Sequence, residues 1–272
     1  MVPNRVFYLH GVTGDLYLYL HHLPTCGCAF IVVSPTRTQE AMMNSTHFFE
    51  QLEASIAKYD LLCHPFYKAW AAGELTRDDL GEYARQYYHH VEAFPGYLAE
   101  LALRENEGEL RRAVLANMSD EQGGSGSDSV PHSDLWLDFA EGMGASRDMS
   151  GHQPLPEINA LIAHFHRTSS EGVPEEALAA FYSYESQVPR VAKEKERGLR
   201  DMYGADDKTR GYFTLHATAD IYHSNVWRSQ LEKRLATHPE AAQAALDAAE
   251  QTAKLLWQAL DGIEAGRKAV AA

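Results

Sequence analysis

A chain of 272 residues with 45% hydrophobic content can bury a substantial core, which argues against a disordered protein. Its formal net charge of −14 opposes the electrostatic grip that nucleic acid or an anionic membrane requires. The cysteines Cys26, Cys28 and Cys63 give no disulfide framework, and Cys26-Gly27-Cys28 lacks a second pair to close a tetrahedral metal site, so a reducing, cytoplasmic setting is expected.

Residues 1–42 differ in character from the rest. Apolar runs at 16–20 and 29–33 are interrupted by His21, His22 and Pro24, and Arg5 alone is a poor basic start for an export signal. No apolar run in the chain reaches the ~18 residues of a membrane-spanning helix. Residues 1–42 therefore read as a poorly ordered N-terminal extension, upstream of a start at Met42 or Met43, with one helical domain over 43–272.

From residue 44 onward apolar residues recur at three and four, the helical period. A helix carrying His64-Pro65-Phe66-Tyr67 stops at Gly73. The next begins at the capping box Thr76-Arg77-Asp78-Asp79 and runs a stripe through Leu80, Tyr83, Tyr87, Val91, Phe94, Leu98 and Leu101. Further helices are predicted at 107–121, 132–144, 155–168, 174–203, 207–235 and 239–266, with a Gly/Ser loop over 122–128. Pro174 opens one of them, and Gly204 with Asp206 and Asp207 marks a stop followed by a cap. No useful period-two alternation occurs after the extension, so the domain is expected to be an all-α bundle of about seven to eight helices.

His216, Asp220 and His223 stand at i, i+4 and i+7. At about 100° per residue they leave one helix face within about 60° of one another, in line with Tyr212, Ala219 and Trp227. Three ionisable groups turned inward need mutual pairing or a cation to offset desolvation. A solvated polar face, or a histidine–aspartate hydrogen bond, remains the alternative. Glu185 lies in the aromatic turn Phe181-Tyr182-Ser183-Tyr184-Glu185, and Pro189 cannot donate to its carbonyl, so a kink is expected there. A tyrosine hydroxyl could equally satisfy that carboxylate. Glu121 and His132 flank the Gly/Ser loop and matter only as completing a set. Carboxylates and histidines converging from several helices are the pattern of dinuclear carboxylate proteins, and with no thiolate among them iron or manganese suits better than copper(I).

The segments His64-Pro-Phe-Tyr67, Tyr87-Tyr-His-His90-Val-Glu-Ala-Phe-Pro95, Tyr184-Glu-Ser-Gln-Val-Pro-Arg190, Lys193-Glu-Lys195 and Tyr212-Phe-Thr-Leu-His216 occur in order. Through them the chain, from about 43 to 260, resembles the CADD-like family of heme-oxygenase-like dimetal oxidases, distant relatives of thiaminase II and the PQQ-forming oxidase. The resemblance implies a heme-oxygenase-like helical bundle. It implies Glu121, His132, Glu185, His216, Asp220 and His223 as ligands of a dinuclear iron or mixed iron/manganese centre. The interval from Glu121 to His132 is a few residues longer than the family's, with the excess in 123–128.

The family is implicated in forming para-aminobenzoate for folate by cutting the ring from one of its own tyrosines, with a lysine as amino donor. By resemblance these are Tyr67 and Lys195, with dioxygen and an external reductant as co-reactants and a homodimer as one option for assembly. Read alone, Tyr67 is an ordinary core aromatic, and Lys195, among Lys193, Glu194, Glu196 and Arg197, is solvated. A conventional dimetal oxygenase acting on a free arylamine or fatty acid would share the six ligands and need neither residue. An interaction protein, suggested by the family's association with death domains, has no encoding feature in this sequence.

Overall fold

The computed structural model describes the backbone of residues 6–9, 16–22, 29–34, 37–124 and 130–271, and side chains over 45–124 and 130–270. Cys26, Cys28 and most of the Gly/Ser loop lie outside the described residues. Two compact units divide at residue 51, within the first helix.

The unit over 1–51 contains strands β1 (Val6–Leu9), β2 (Leu16–His22) and β3 (Ala29–Ser34), paired antiparallel in sequence order, with Val6 opposite Tyr19 and Tyr17 opposite Ser34. Helix α1 (Arg37–Ala57) begins some residues before the Met42-Met43 pair where helical patterning was read to start.

The unit over 52–272 is helical among its described residues. A 3-10 turn at Leu61–Cys63 leads into α2 (Pro65–Ala72), whose entry is capped by the His64 Nδ1 accepting from the Phe66 amide at 3.1 Å. Gly73 closes it in the left-handed region at φ 72°, where a side chain would be strained. The capping box of α3 (Arg77–Arg104) forms as the sequence predicts: Asp79 N donates to Thr76 Oγ1 at 3.1 Å, and Thr76 N donates to Asp79 Oδ2 at 2.7 Å. Then follow α4 (Glu109–Glu121), α5 (His132–Gly142), α6 (Pro156–Ser170), α7 (Pro174–Glu185), α8 (Val188–Met202), α9 (Asp207–Leu235) and α10 (Ala242–Ala271).

The single helix predicted over 174–203 is two. Pro189 has no N–H for the carbonyl of Glu185, so the chain breaks at Ser186-Gln187 and restarts with Pro189 in the first turn of α8. Gln187 patches the break. Its Nε2 donates to Ser183 O at 3.2 Å, while its Oε1 accepts from the Leu61 amide at 3.2 Å.

Helix α7 is buried all round from Ala177 to Glu185, which makes it the central helix of the bundle. It packs against α6, α9 and α10, while α9 also lies along α5 and α8. Among the described residues no helix is long and apolar enough to cross a membrane.

Candidate metal centre

Helix α9 turns His216, Asp220 and His223 inward, each at most 4% exposed, between the buried rings of Tyr212 and Trp227. The i, i+4, i+7 face is thus a core face, and the solvated alternative does not hold. Glu121 ends α4 and His132 begins α5, and their side chains meet. Ligand atoms of Glu121, His132 and His216 lie within 4.8 Å of one another, all buried. Glu121 Oε2 is 2.8 Å from His132 Nδ1, and the His132 and His216 rings are 4.6 Å apart. Asp220 Oδ1 sits 3.5 Å from His223 Nδ1. Glu185, at the end of α7, accepts hydrogen bonds from Trp227 Nε1 and, at 3.5 Å, Asn117 Nδ2, rather than from a neighbouring tyrosine.

Four of these six residues, Glu121, Glu185, His216 and Asp220, line one enclosed cavity with Val91, Phe94, Tyr184 and Tyr212. It has room for about one water molecule. The other two, His132 and His223, reach a surface groove that also contains Asp120, Val130 and Leu215.

The electrostatics show an uncompensated site. Burial pushes the Glu185 carboxyl well above the usual carboxylate range, and the charges of Asp220 and Glu121 push the same way. Burial also pushes Glu121 up, but His132, His216 and His223 outweigh it and leave that carboxyl low. Burial disfavours the His223 imidazolium, yet Asp220, Glu185 and Asp120 prevail and raise it to about 9.

These residues fit a metal. The buried Nδ1 atoms of His132 and His223 face Glu121 and Asp220 of the same cluster without a well-aligned hydrogen bond. His216 is bonded through Nδ1 to the Tyr212 carbonyl at 2.8 Å, which leaves its Nε2 as the free lone pair. Oxygen and imidazole donors without thiolate suit iron or manganese.

A second buried group lies apart from this cluster. Lys195 on α8 is 6% exposed, against the solvated reading of its sequence neighbours. Its Nζ stands 4.3 Å from the centre of the Tyr67 ring and 4.8 Å from that of Tyr83. It donates to the Tyr83 hydroxyl at 2.6 Å, and that hydroxyl shares a 3.1 Å hydrogen bond with Tyr67. Burial alone drives the amine well below its usual range. The signal for this burial is in the sequence: Val191, Ala192, Lys195, Gly198 and Leu199 form the inward stripe of α8, while Lys193 faces out. A file of rings joins the two groups, Tyr67 to Tyr83, Tyr87, Trp136, Tyr212 and His216, with successive centroids 6.2, 5.5, 5.4, 4.8 and 3.9 Å apart. In the sequence Tyr83 stands out only as part of a core stripe, Tyr87 as part of that stripe and of a family-like segment, and Asp120 and Asn117 do not stand out. Position beside Glu121 was the one hint for Asp120.

The architecture is that of the heme oxygenase-like class. A domain of heme oxygenase-like fold from Shewanella denitrificans matches with a TM-score of 0.65, covering 86% of this chain and 94% of that one at 17% identity. The chain belongs to the iron-containing redox enzyme family, which matches residues 81–257, and it is therefore an oxidoreductase with a metal cofactor. Several relatives are named 4-aminobenzoate synthase. That of Chlamydia trachomatis is 35% identical over 82% of this chain and 93% of its own, and that of Nitrosomonas europaea is 37% identical over 81% and 92%.

Proposed function

We propose that the protein forms para-aminobenzoate for folate synthesis in the cytoplasm, by cleavage of its own Tyr67 with Lys195 as the amino donor. The relatives named 4-aminobenzoate synthase support the product. The observation that carries the self-sacrificing route is the buried amine of Lys195, 4.3 Å from the centre of the Tyr67 ring, with no acidic partner among the described residues.

Comparison of tyrosine with the product defines the chemistry. The ring and the carbon para to the hydroxyl are already present in tyrosine. The side chain must be cut from the backbone, that carbon oxidised to a carboxyl, and the hydroxyl exchanged for nitrogen. Glu121, His132, Glu185, His216, Asp220 and His223 would hold two metal ions, either diiron or iron with manganese, which supply dioxygen activation with electrons from an external reductant.

The protein's own groups do the rest. Fixing Tyr67 in α2 and Lys195 in α8 around the Tyr83 hydroxyl makes the encounter of ring and amine intramolecular. Burial disfavours the ammonium, so the amine is available with its lone pair. The cavity lined by Glu121, Glu185, His216 and Asp220 has room for about one water molecule, and aromatic side chains form the connection from His216 to Tyr67.

The test is expression with ring-labelled tyrosine, followed by exposure of the metal-loaded protein to oxygen and reductant without added substrate. Labelled para-aminobenzoate is expected, at no more than a single equivalent per chain. Tyr67→Phe and Lys195→Arg should keep the metal content and lose the product, since a guanidinium stays protonated. Many turnovers on an added arylamine or fatty acid, with Tyr67 intact by mass spectrometry, would assign a conventional oxygenase instead.

A further inference from the structure

We infer that Asp120 is a positioning residue of the metal centre, holding Nε2 of His223 so that Nδ1 is presented to the metal. The inference rests on the proposal that His223 is a ligand. Asp120 lies in the last turn of α4, one residue before Glu121, and its side chain is 54% exposed at the groove where His223 surfaces. Its Oδ2 is 3.3 Å from His223 Nε2. The other ring nitrogen, Nδ1, is buried, makes no hydrogen bond and faces Asp220 Oδ1 at 3.5 Å.

An imidazole that ligates a metal is neutral and carries one proton, and a carboxylate accepts but cannot donate. The Asp120 contact therefore settles the proton on Nε2 and leaves the lone pair on Nδ1, beside a carboxylate of the same cluster. His216 is fixed in the opposite sense, with its Nδ1–H given to the Tyr212 carbonyl and Nε2 left free. The two histidines of α9 thus present different nitrogens, and only one is backed by a charged acceptor. An anionic partner makes an imidazole the stronger donor and resists its rotation, so the ion that His223 would hold is the one that depends on Asp120.

The experiment uses the full-length protein stripped of metal and titrated with manganese(II) alone. Stoichiometry and affinity are read by the loss of the free-ion magnetic resonance signal, and the environment of the bound ion from its own spectrum. Asp120→Asn should weaken one of the two bound ions by about 10–100-fold, leave the other unchanged, and alter the bound-ion spectrum. Asp120→Glu, which keeps the anionic acceptor, should restore most of both. His223→Ala is the control for the ligand itself and should lose one ion.

If His223→Ala loses an ion while Asp120→Asn binds and reports as the wild type does, Asp120 has no positioning role and the ligand set stands. Equal weakening of both ions by Asp120→Asn, with Asp120→Glu no better, would mark a structural residue and also overturn the inference. If His223→Ala binds both ions normally, the ligand set is wrong, and the Asp120 inference falls with it.

Discussion

The amine of Lys195 has five aromatic rings within 6 Å of its nitrogen and one hydroxyl as hydrogen-bond partner. Cation–π attraction favours the ammonium, yet desolvation is the larger effect, and the folded protein holds the proton less tightly than the unfolded chain, whose lysine titrates near 10.5. Between the lowered folded value and 10.5 the unfolded state binds more protons, so stability rises with pH across that window and is flat below it. Lys195→Met should remove that rise and raise stability at neutral pH by on the order of 1 kcal/mol, because the polar group no longer has to leave water. Denaturant titrations of both proteins at several pH values up to about 10 measure this, and parallel curves would refute it. At this scale the sequence was only partly legible. The face of His216, Asp220 and His223 could be read from spacing, since one helix fixes all three. Its immediate neighbours alone make Lys195 look solvated, whereas helical burial follows residues three and four away.

Elements were more legible wherever a local signal sets a boundary. Thr76 and Asp79 start α3 by satisfying each other's backbone, and Asp206 starts α9 by accepting from the Thr209 amide at 2.9 Å. The Pro189 kink is legible in the sequence, but the cover that Gln187 gives to the full break between α7 and α8 is not, since it bonds Leu61, a partner far away in sequence. Close approach of helices was not legible at all. Gly198 on α8 faces Trp70 on α2 so tightly that an added Cβ would stand 2.7 Å from the indole. Gly198→Ala should therefore cost about 1–3 kcal/mol, measured by chemical denaturation, and spread the two helices that carry Lys195 and Tyr67. On the proposed route the product yield per folded chain should fall, whereas metal content should hold, since the proposed ligands lie on α4, α5, α7 and α9. Wild-type stability in that variant would mean the indole can step aside.

For the whole molecule, the relatives are almost fully covered by alignments that span about four-fifths of this chain. We propose that residues 1–42 are dispensable to the helical domain. A protein beginning at Met43 should melt as the full chain does and bind the same number of metal ions, by calorimetry and elemental analysis, and failure on either count would make those residues part of the fold. The hydrogen bond between Leu61 and Gln187 bears on the order in which this molecule is assembled. It joins positions 126 residues apart, so it cannot form until the chain through Gln187 has been made and brought back to Leu61. A chain emerging from the ribosome has its Tyr67 long before α8 exists, and during that time no amine stands beside the ring. On the proposed route, Tyr67 on α2 and Lys195 on α8 would meet only once those helices have packed together, which would spare the tyrosine until then.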